Sequence, residues 1–487
     1  MNLVIEGGLR NSTFWIVAAF LVVAACVAWA HRGRDEVAIK TVEVLARLLD
    51  ARWLGALALA GSLGNMGLFA LYKGYVVPRD YMQDYLSARE YLAGHSLYPE
   101  NMTGLFQESV RREPPRFSIV ASKPSLLERE AAAREDAAGQ HWLQAHPPLM
   151  TLYTSLFARC FGPYGCFFAM NVVSFIALAV TLAIIVHELA WTFTKQQTLT
   201  LTALVLGWEP VITTIRSAQS GLLLAAFLVM GWMALRRARP WAAGAFVAVA
   251  TSLKLFPAVV AAYLLVRRPR AFVSCAVVFT LFLALTIVLC GPGVIREFRD
   301  TSHGVLDRYA SYPPNLSGTS LVLRSLPLSQ RPVLSQPVIL SVVALGLIGL
   351  AALGRSSTNK RAPETEQIDS GYAMSMTLAL VISPIAWDHY QGVLLLPFSL
   401  LGTWLSRRSR APQVMEVLGF IGVVWVTCIP EQLFFEVAHS VRDSTHSPIL
   451  EYLVTVPRTL ALLAVAAWFV RTRPRPVFES VVPVPSA

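Results

Sequence analysis

Two carboxylates mark the most chemically suggestive stretch of this 487-residue chain. Asp80 and Asp84 stand four residues apart in Arg79-Asp80-Tyr81-Met82-Gln83-Asp84-Tyr85, which puts both on one face of a helix. Paired acids at a membrane edge suit a general base. The plainer reading is a solvated juxtamembrane helix, with its acids near the N-terminus where the helix dipole favours them.

Three further clusters carry polar groups where apolar residues dominate. Lys254 interrupts an apolar stretch just before Leu255-Phe256-Pro257. A buried lysine needs an anion, and a lipid phosphate is one, although a lysine snorkelling to the headgroups is the commoner case. The loop Tyr312-Pro313-Pro314-Asn315-Leu316-Ser317-Gly318 is followed by Arg324, whose planar fork suits phosphate oxygens. An ordinary turn with one exposed arginine reads equally well. Ser383-Pro384-Ile385-Ala386-Trp387-Asp388-His389-Tyr390 resembles an interfacial aromatic belt, yet Asp388 beside His389 adds a titratable pair that a belt does not need.

The elements that position these groups are membrane helices. The chain is 55% hydrophobic and 15% charged, with a mean hydropathy of +0.53. Soluble domains carry about 25% charged residues, so a soluble enzyme, a disordered chain and a fibrous one are all excluded. Apolar runs fall at 12–30, 53–72, 165–190, 198–216, 218–235, 271–291, 337–354, 372–384, 389–406, 414–430 and 449–470. Most are near the roughly 20 residues that cross a bilayer core. The expected fold is an all-α polytopic membrane protein with about 11 spans, a broken-helix hairpin and a large first outer loop.

Basic clusters set the orientation. Arg236, Arg237 and Arg239; Arg267, Arg268 and Arg270; Lys360 and Arg361; Arg407, Arg408 and Arg410; and Arg471, Arg473 and Arg475 all fit the cytoplasmic side. The net charge of +11 follows from these loops and implies no nucleic acid. The loops at 73–146, 292–336 and 431–448 then face outward. Residues 241–266 lie between two arginine clusters; a hairpin turning at Lys254–Pro257 keeps both clusters inside, whereas one ordinary span would break the rule. Residues 147–161 read as an interfacial helix. Ser125-Leu126-Leu127-Glu128 resembles a capping box opening a polar helix to about Gln140. Residues 1–52 hold an additional span and a cytoplasmic linker, 53–470 the catalytic domain, and 471–487 a basic, Pro-rich cytoplasmic tail.

The six cysteines lack CxxC pairs and histidines at ligand spacing, which argues against structural zinc or an iron–sulfur site. Cys160 and Cys166 bracket an outer turn where a disulfide is one alternative and two thiols the other. No Gly-rich nucleotide loop, HExxH or GxSxG motif occurs.

Taken in order, these motifs resemble glycosyltransferase family 87, membrane enzymes of the GT-C class that include polyprenyl-phosphate-mannose-dependent α-mannosyltransferases. The pattern Asp-aromatic-x-x-Tyr-Tyr-x-x-Ala is similar to Asp80 through Ala88, with Tyr85 at its second tyrosine, followed by Gly94 and Leu97-Tyr98. Tyr-Pro-Pro-Leu is matched by His146-Pro147-Pro148-Leu149, and Lys-x-x-Pro by Lys254 through Pro257. Asn315, Ser317 and Arg324 resemble the Asn-x-Ser loop; Ser383, Pro384, Trp387, His389 and Tyr390 resemble the last motif. The chain departs from the pattern with Asp84 and His146 where tyrosines are usual, a polar insertion after Tyr98, and the span at Ser12–Ala30.

The resemblance implies an inverting transfer of a hexose, mannose first, from a polyprenyl-phosphate sugar to a lipid or glycan acceptor. Asp80, or else Asp84, would be the base. Lys254, Arg324 and His389 would hold the phosphate, with Asn315, Trp387, Tyr390 and Tyr85 as further binding residues. The donor carries its own leaving group, so neither cofactor nor metal is implied. The expected location is a bacterial inner membrane with the site facing the periplasm. A flippase for polyprenyl-linked saccharides is the alternative.

Overall fold

A computed structural model describes residues 12–30, 37–73, 79–100, 102, 104–105, 144, 146–312, 315–356, 363–407, 414–429, 437, 440–441 and 448–471. The expected polar helix from Ser125 and the tail beyond 471 lie outside the described residues. The described chain is helical, and its elements are α1 (Ser12–Ala30), α2 (Val37–Leu49), α3 (Arg52–Lys73), α4 (Arg79–Leu92), α5 (Pro148–Ala158), α6 (Pro163–Glu188), α7 (Lys195–Leu206), α8 (Glu209–Arg216), α9 (Gly221–Arg236) and α10 (Pro240–Leu253). They continue with α11 (Ala258–Arg267), α12 (Pro269–Cys290), α13 (Val294–Tyr309), α14 (Gly318–Arg324), α15 (Arg331–Ser356), α16 (Glu364–Ile382), α17 (Leu395–Arg407), α18 (Val414–Thr427) and α19 (Pro448–Arg471). Prolines open α5, α6, α8, α10 and α12, where a missing N–H costs nothing. Thr194 and Gln197 form a capping box that starts α7.

Among the described residues, α6, α12 and Arg331–Ala352 are long and apolar enough to cross a membrane, and α7 with α8, bent by 55°, would make a fourth. That is fewer than the eleven or so expected from apolar runs. The difference lies in shorter apolar helices such as α9, α10 and Thr455–Val470. A 16-residue helix such as α9 reaches only about 24 Å.

The break before α11 has a local cause. Lys254 is extended at φ −148°, ψ 141°, and Pro257 cannot donate a helical hydrogen bond. The starts of α10 and α12 lie side by side: Ser274 Oγ donates to the Trp241 carbonyl at 2.7 Å, and a Cβ on Gly244 would collide with the Ala271 carbonyl. The intervening α11 therefore runs back toward the level from which α10 started. Lys254 and Phe256 are thereby held at the far end of the turn.

Charged groups gather where α9 ends and α16 begins. Arg236 pairs with Asp369 at 2.7 Å, Arg237 with Glu188 at 2.5 Å, and Arg268 with Glu364 at 2.5 Å. Between that end and the Lys254 end lies an apolar core built around the fully buried Trp232, Tyr372 and Leu228. Tyr372 donates to the Leu228 carbonyl at 2.8 Å, and Trp232 to Asp369 at 2.8 Å, so both buried polar atoms are satisfied.

Candidate active site

At the opposite end, α4 presents its two acids differently. Asp80 is exposed, whereas Asp84 is 0% exposed. One Asp84 oxygen accepts from His146 Nδ1 at 2.6 Å and Gln144 Nε2 at 3.1 Å, and the other accepts from Gln219 Nε2 at 3.5 Å. His146 is steadied in turn by Tyr98, which donates to its carbonyl at 2.9 Å. Burial holds the His146 imidazole below its usual titration range, although the Asp84 charge pulls the other way.

Gln219 ties the acids to the lysine. Its Nε2 donates to the Asp80 carbonyl at 2.9 Å, and its Oε1 accepts from Lys254 Nζ at 3.4 Å. Lys254 is 3% exposed and lies 5.2 Å from the centre of the Tyr390 ring. Phe256 stacks on the other motif's Tyr390 at 5.0 Å, which docks the hairpin turn against the segment that carries His389. The His389 ring meets Tyr390 edge-on at 4.5 Å, and its buried Nε2 has no hydrogen-bond partner. A buried ammonium beside Gln219 and Tyr390, and a buried imidazole nitrogen without a hydrogen-bond partner in the ring that meets Tyr390, can take an anion and a proton.

His389 itself is fixed through its backbone. Thr214 Oγ1 donates to its carbonyl at 3.2 Å, and Gly221 packs so close that any Cβ would strike the same oxygen. The turn that delivers Gln219 and Gly221 ends α8 with Ala218 at φ +42°, and the Gln219 N–H reaches back to the Thr214 carbonyl at 3.0 Å.

The remaining expected residues are engaged with protein groups. Asn315 is consumed by backbone: its Nδ2 donates to the Tyr309, Ala310 and Pro384 carbonyls, and its Oδ1 accepts from the Ser317 and Ala386 N–H groups. It pins Ala310 and Ser317 to Pro384 and Ala386. Arg324 is buried, not exposed, and its guanidinium donates to Thr455 and lies 5.9 Å from the Tyr452 ring. Trp387 is half-buried in an aromatic trio with Tyr309 at 5.6 Å and Tyr312 at 6.0 Å. Tyr85 stacks on Tyr81 at 6.0 Å.

One sequence reading is corrected and one open alternative is decided. Asp388 forms no pair with His389; both its oxygens bind Arg458 Nη1 at 2.7 Å. Cys160 and Cys166 are both free thiols, the first exposed and the second buried. Gln219, Gln144 and Arg458 escaped the sequence reading. The polar Ser217–Ser220 interruption between two apolar runs was the available signal for Gln219; nothing local marked the others. Among the described residues, no group of three His, Cys, Asp or Glu side chains is placed to hold a metal ion.

Apolar helices with a buried acid, lysine and histidine cluster at one end define an all-helical membrane protein with a polar site at a bundle end. The sequence model of glycosyltransferase family 87 matches residues 144–384, and this match indicates a membrane glycosyltransferase. The matched stretch contains His146, Gln219, Lys254, Asn315 and Arg324, while α4 and the Asp388–Tyr390 segment lie beyond it. No curated protein and no solved structure matches the chain.

Proposed function

We propose that the protein moves a hexose, mannose in first place, from a polyprenyl-phosphate sugar to a hydroxyl of a lipid or glycan acceptor, with inversion, on the periplasmic face of a bacterial inner membrane. The carrying observation is the Gln219 carboxamide, which joins Lys254 to the Asp80–Asp84 helix within one side chain's reach. Such spacing suits an in-line displacement, with a base on one side of the anomeric carbon and a phosphate site on the other.

In this reading Asp80 takes the proton as the acceptor oxygen bonds to the anomeric carbon and the bond to phosphate breaks. Asp80 is preferred because it is exposed, whereas Asp84 is fully buried. Lys254 and His389 neutralise the departing phosphate. Trp387, Tyr390 and Tyr85 line the donor's path; Arg324 and Asn315, already engaged with protein groups, serve mainly to shape it.

The test uses membranes holding wild type, Asp80→Asn or Asp84→Asn at equal expression, given labelled polyprenyl-phosphate mannose and a host lipid extract. Transfer by wild type and a loss of about 10²–10⁴-fold in Asp80→Asn support the assignment. Loss confined to Asp84→Asn moves the base one helical turn. No transfer from this or other polyprenyl sugars, with labelled lipid still crossing the bilayer, replaces the enzyme with a flippase.

A further inference from the structure

The last described helix, α19, lies outside the family-matched residues, yet it grips both motifs that precede it. Thr455 accepts from Arg324, and Arg458 binds Asp388, the residue next to His389. Asp388 opens the short 3-10 segment Asp388–Leu394, whose hydrogen bonds hold direction less firmly than those of an α-helix.

Arg458 and Asp388 are 3% and 1% exposed at their side chains. A buried ion pair adds little net stability over a well-packed apolar pair, so stability alone does not account for it. What it supplies is direction. One guanidinium nitrogen meets both Asp388 oxygens, while the other donates to the Ile429 carbonyl and Gln391 braces the same carboxylate at 3.1 Å. Thr214 holds the carbonyl of the next residue from the opposite side. The start of the segment is clamped between α19 and α8, and the ring so fixed is the one whose Nε2 lacks a partner.

We propose that Arg458 is a positioning residue: through Asp388 it holds the His389 imidazole aimed at the site. Its kinetic consequence rests on the proposed function, but the ring's position does not. The test uses full-length protein in detergent micelles, comparing wild type with the charge-free pair Asp388→Asn/Arg458→Gln and with Arg458→Lys. Diethyl pyrocarbonate labelling of His389, read by mass spectrometry, reports the ring's accessibility; melting temperature reports the fold; donor KM and kcat report transfer.

At a near-wild-type melting temperature, the double variant is expected to label His389 several-fold faster and to lose about 10- to 100-fold in kcat/KM. Arg458→Lys, which keeps the charge but not the fork, falls between. Unchanged labelling and unchanged kcat/KM in the double variant overturn the proposal. If that variant fails to fold, Arg458→Lys decides: wild-type labelling and kinetics overturn the proposal, and faster labelling supports it. Should wild type transfer no sugar from any polyprenyl phosphate, the function falls, and the labelling rates alone decide the positioning role.

Discussion

Asp84 and His146, 62 residues apart in sequence, share a 2.6 Å hydrogen bond with both side chains buried. A carboxylate buried at 84 needs a donor, and His146 provides one. In a double-mutant cycle with Asp84→Asn and His146→Gln, the two changes should couple by about 0.5–3 kcal/mol, read from denaturation of the purified protein. Strict additivity would separate the pair energetically.

Acid should weaken the fold through the same histidine, which lies outside the spans. Burial lowers the His146 pKa, and Lys254 adds in that direction against the opposing pull of Asp84. The unfolded chain, titrating near about 6.5, takes up the proton first as pH falls. The His146 contribution is therefore present above that value and lost below it. The melting temperature of wild type should drop between about pH 7.5 and 5.5, and His146→Gln should flatten that slope.

Gln219 offers Lys254 a neutral acceptor at 3.4 Å. Gln219→Leu leaves a buried ammonium short of a partner and should cost about 1–3 kcal/mol of stability. A high concentration of polyprenyl phosphate should recover more of that loss in Gln219→Leu than in Gln219→Leu/Lys254→Met, as read by thermal shift.

Gly221 has no room for a methyl group, since a Cβ would strike the His389 carbonyl and lie 2.9 Å from Thr214 Oγ1. Gly221→Ala should lower stability by about 1–3 kcal/mol and reduce transfer more than Gly402→Ala, whose Cβ would make only an ordinary contact with Phe420 at 3.7 Å. Equal activities in the two variants would show that the close approach is dispensable.

The adjacent starts of α10 and α12 place Arg239 and Arg270 on one side of the bundle. In a background freed of native cysteines, Arg239→Cys and Arg270→Cys should react with an impermeant maleimide from the same side of sealed vesicles. His95→Cys, exposed beside α4, should react from the other. Labelling of 239 and 270 from opposite sides would restore a single crossing at 241–266.

Much of the architecture is legible in the residues alone, because apolar runs and prolines act locally. Lys254-Leu255-Phe256-Pro257 announces a break because proline withholds a hydrogen bond and restricts its neighbour. Asp80 and Asp84 announce a shared helical face. The count of long spans was less legible, since an apolar run does not reveal where its helix bends, as between Leu206 and Glu209.

The tertiary structure decided which polar groups meet. Asp80 and Asp84 look alike in sequence, yet one is exposed and the other fully enclosed. Asp388 passes over its neighbour His389 for Arg458, 70 residues away, and Asn315 spends itself on backbone. Spacing along the chain governs which residues share a helix face. The partner that satisfies a buried charge is set by how distant helices pack, because desolvation forces each charge to whichever complementary group the folded bundle brings within reach.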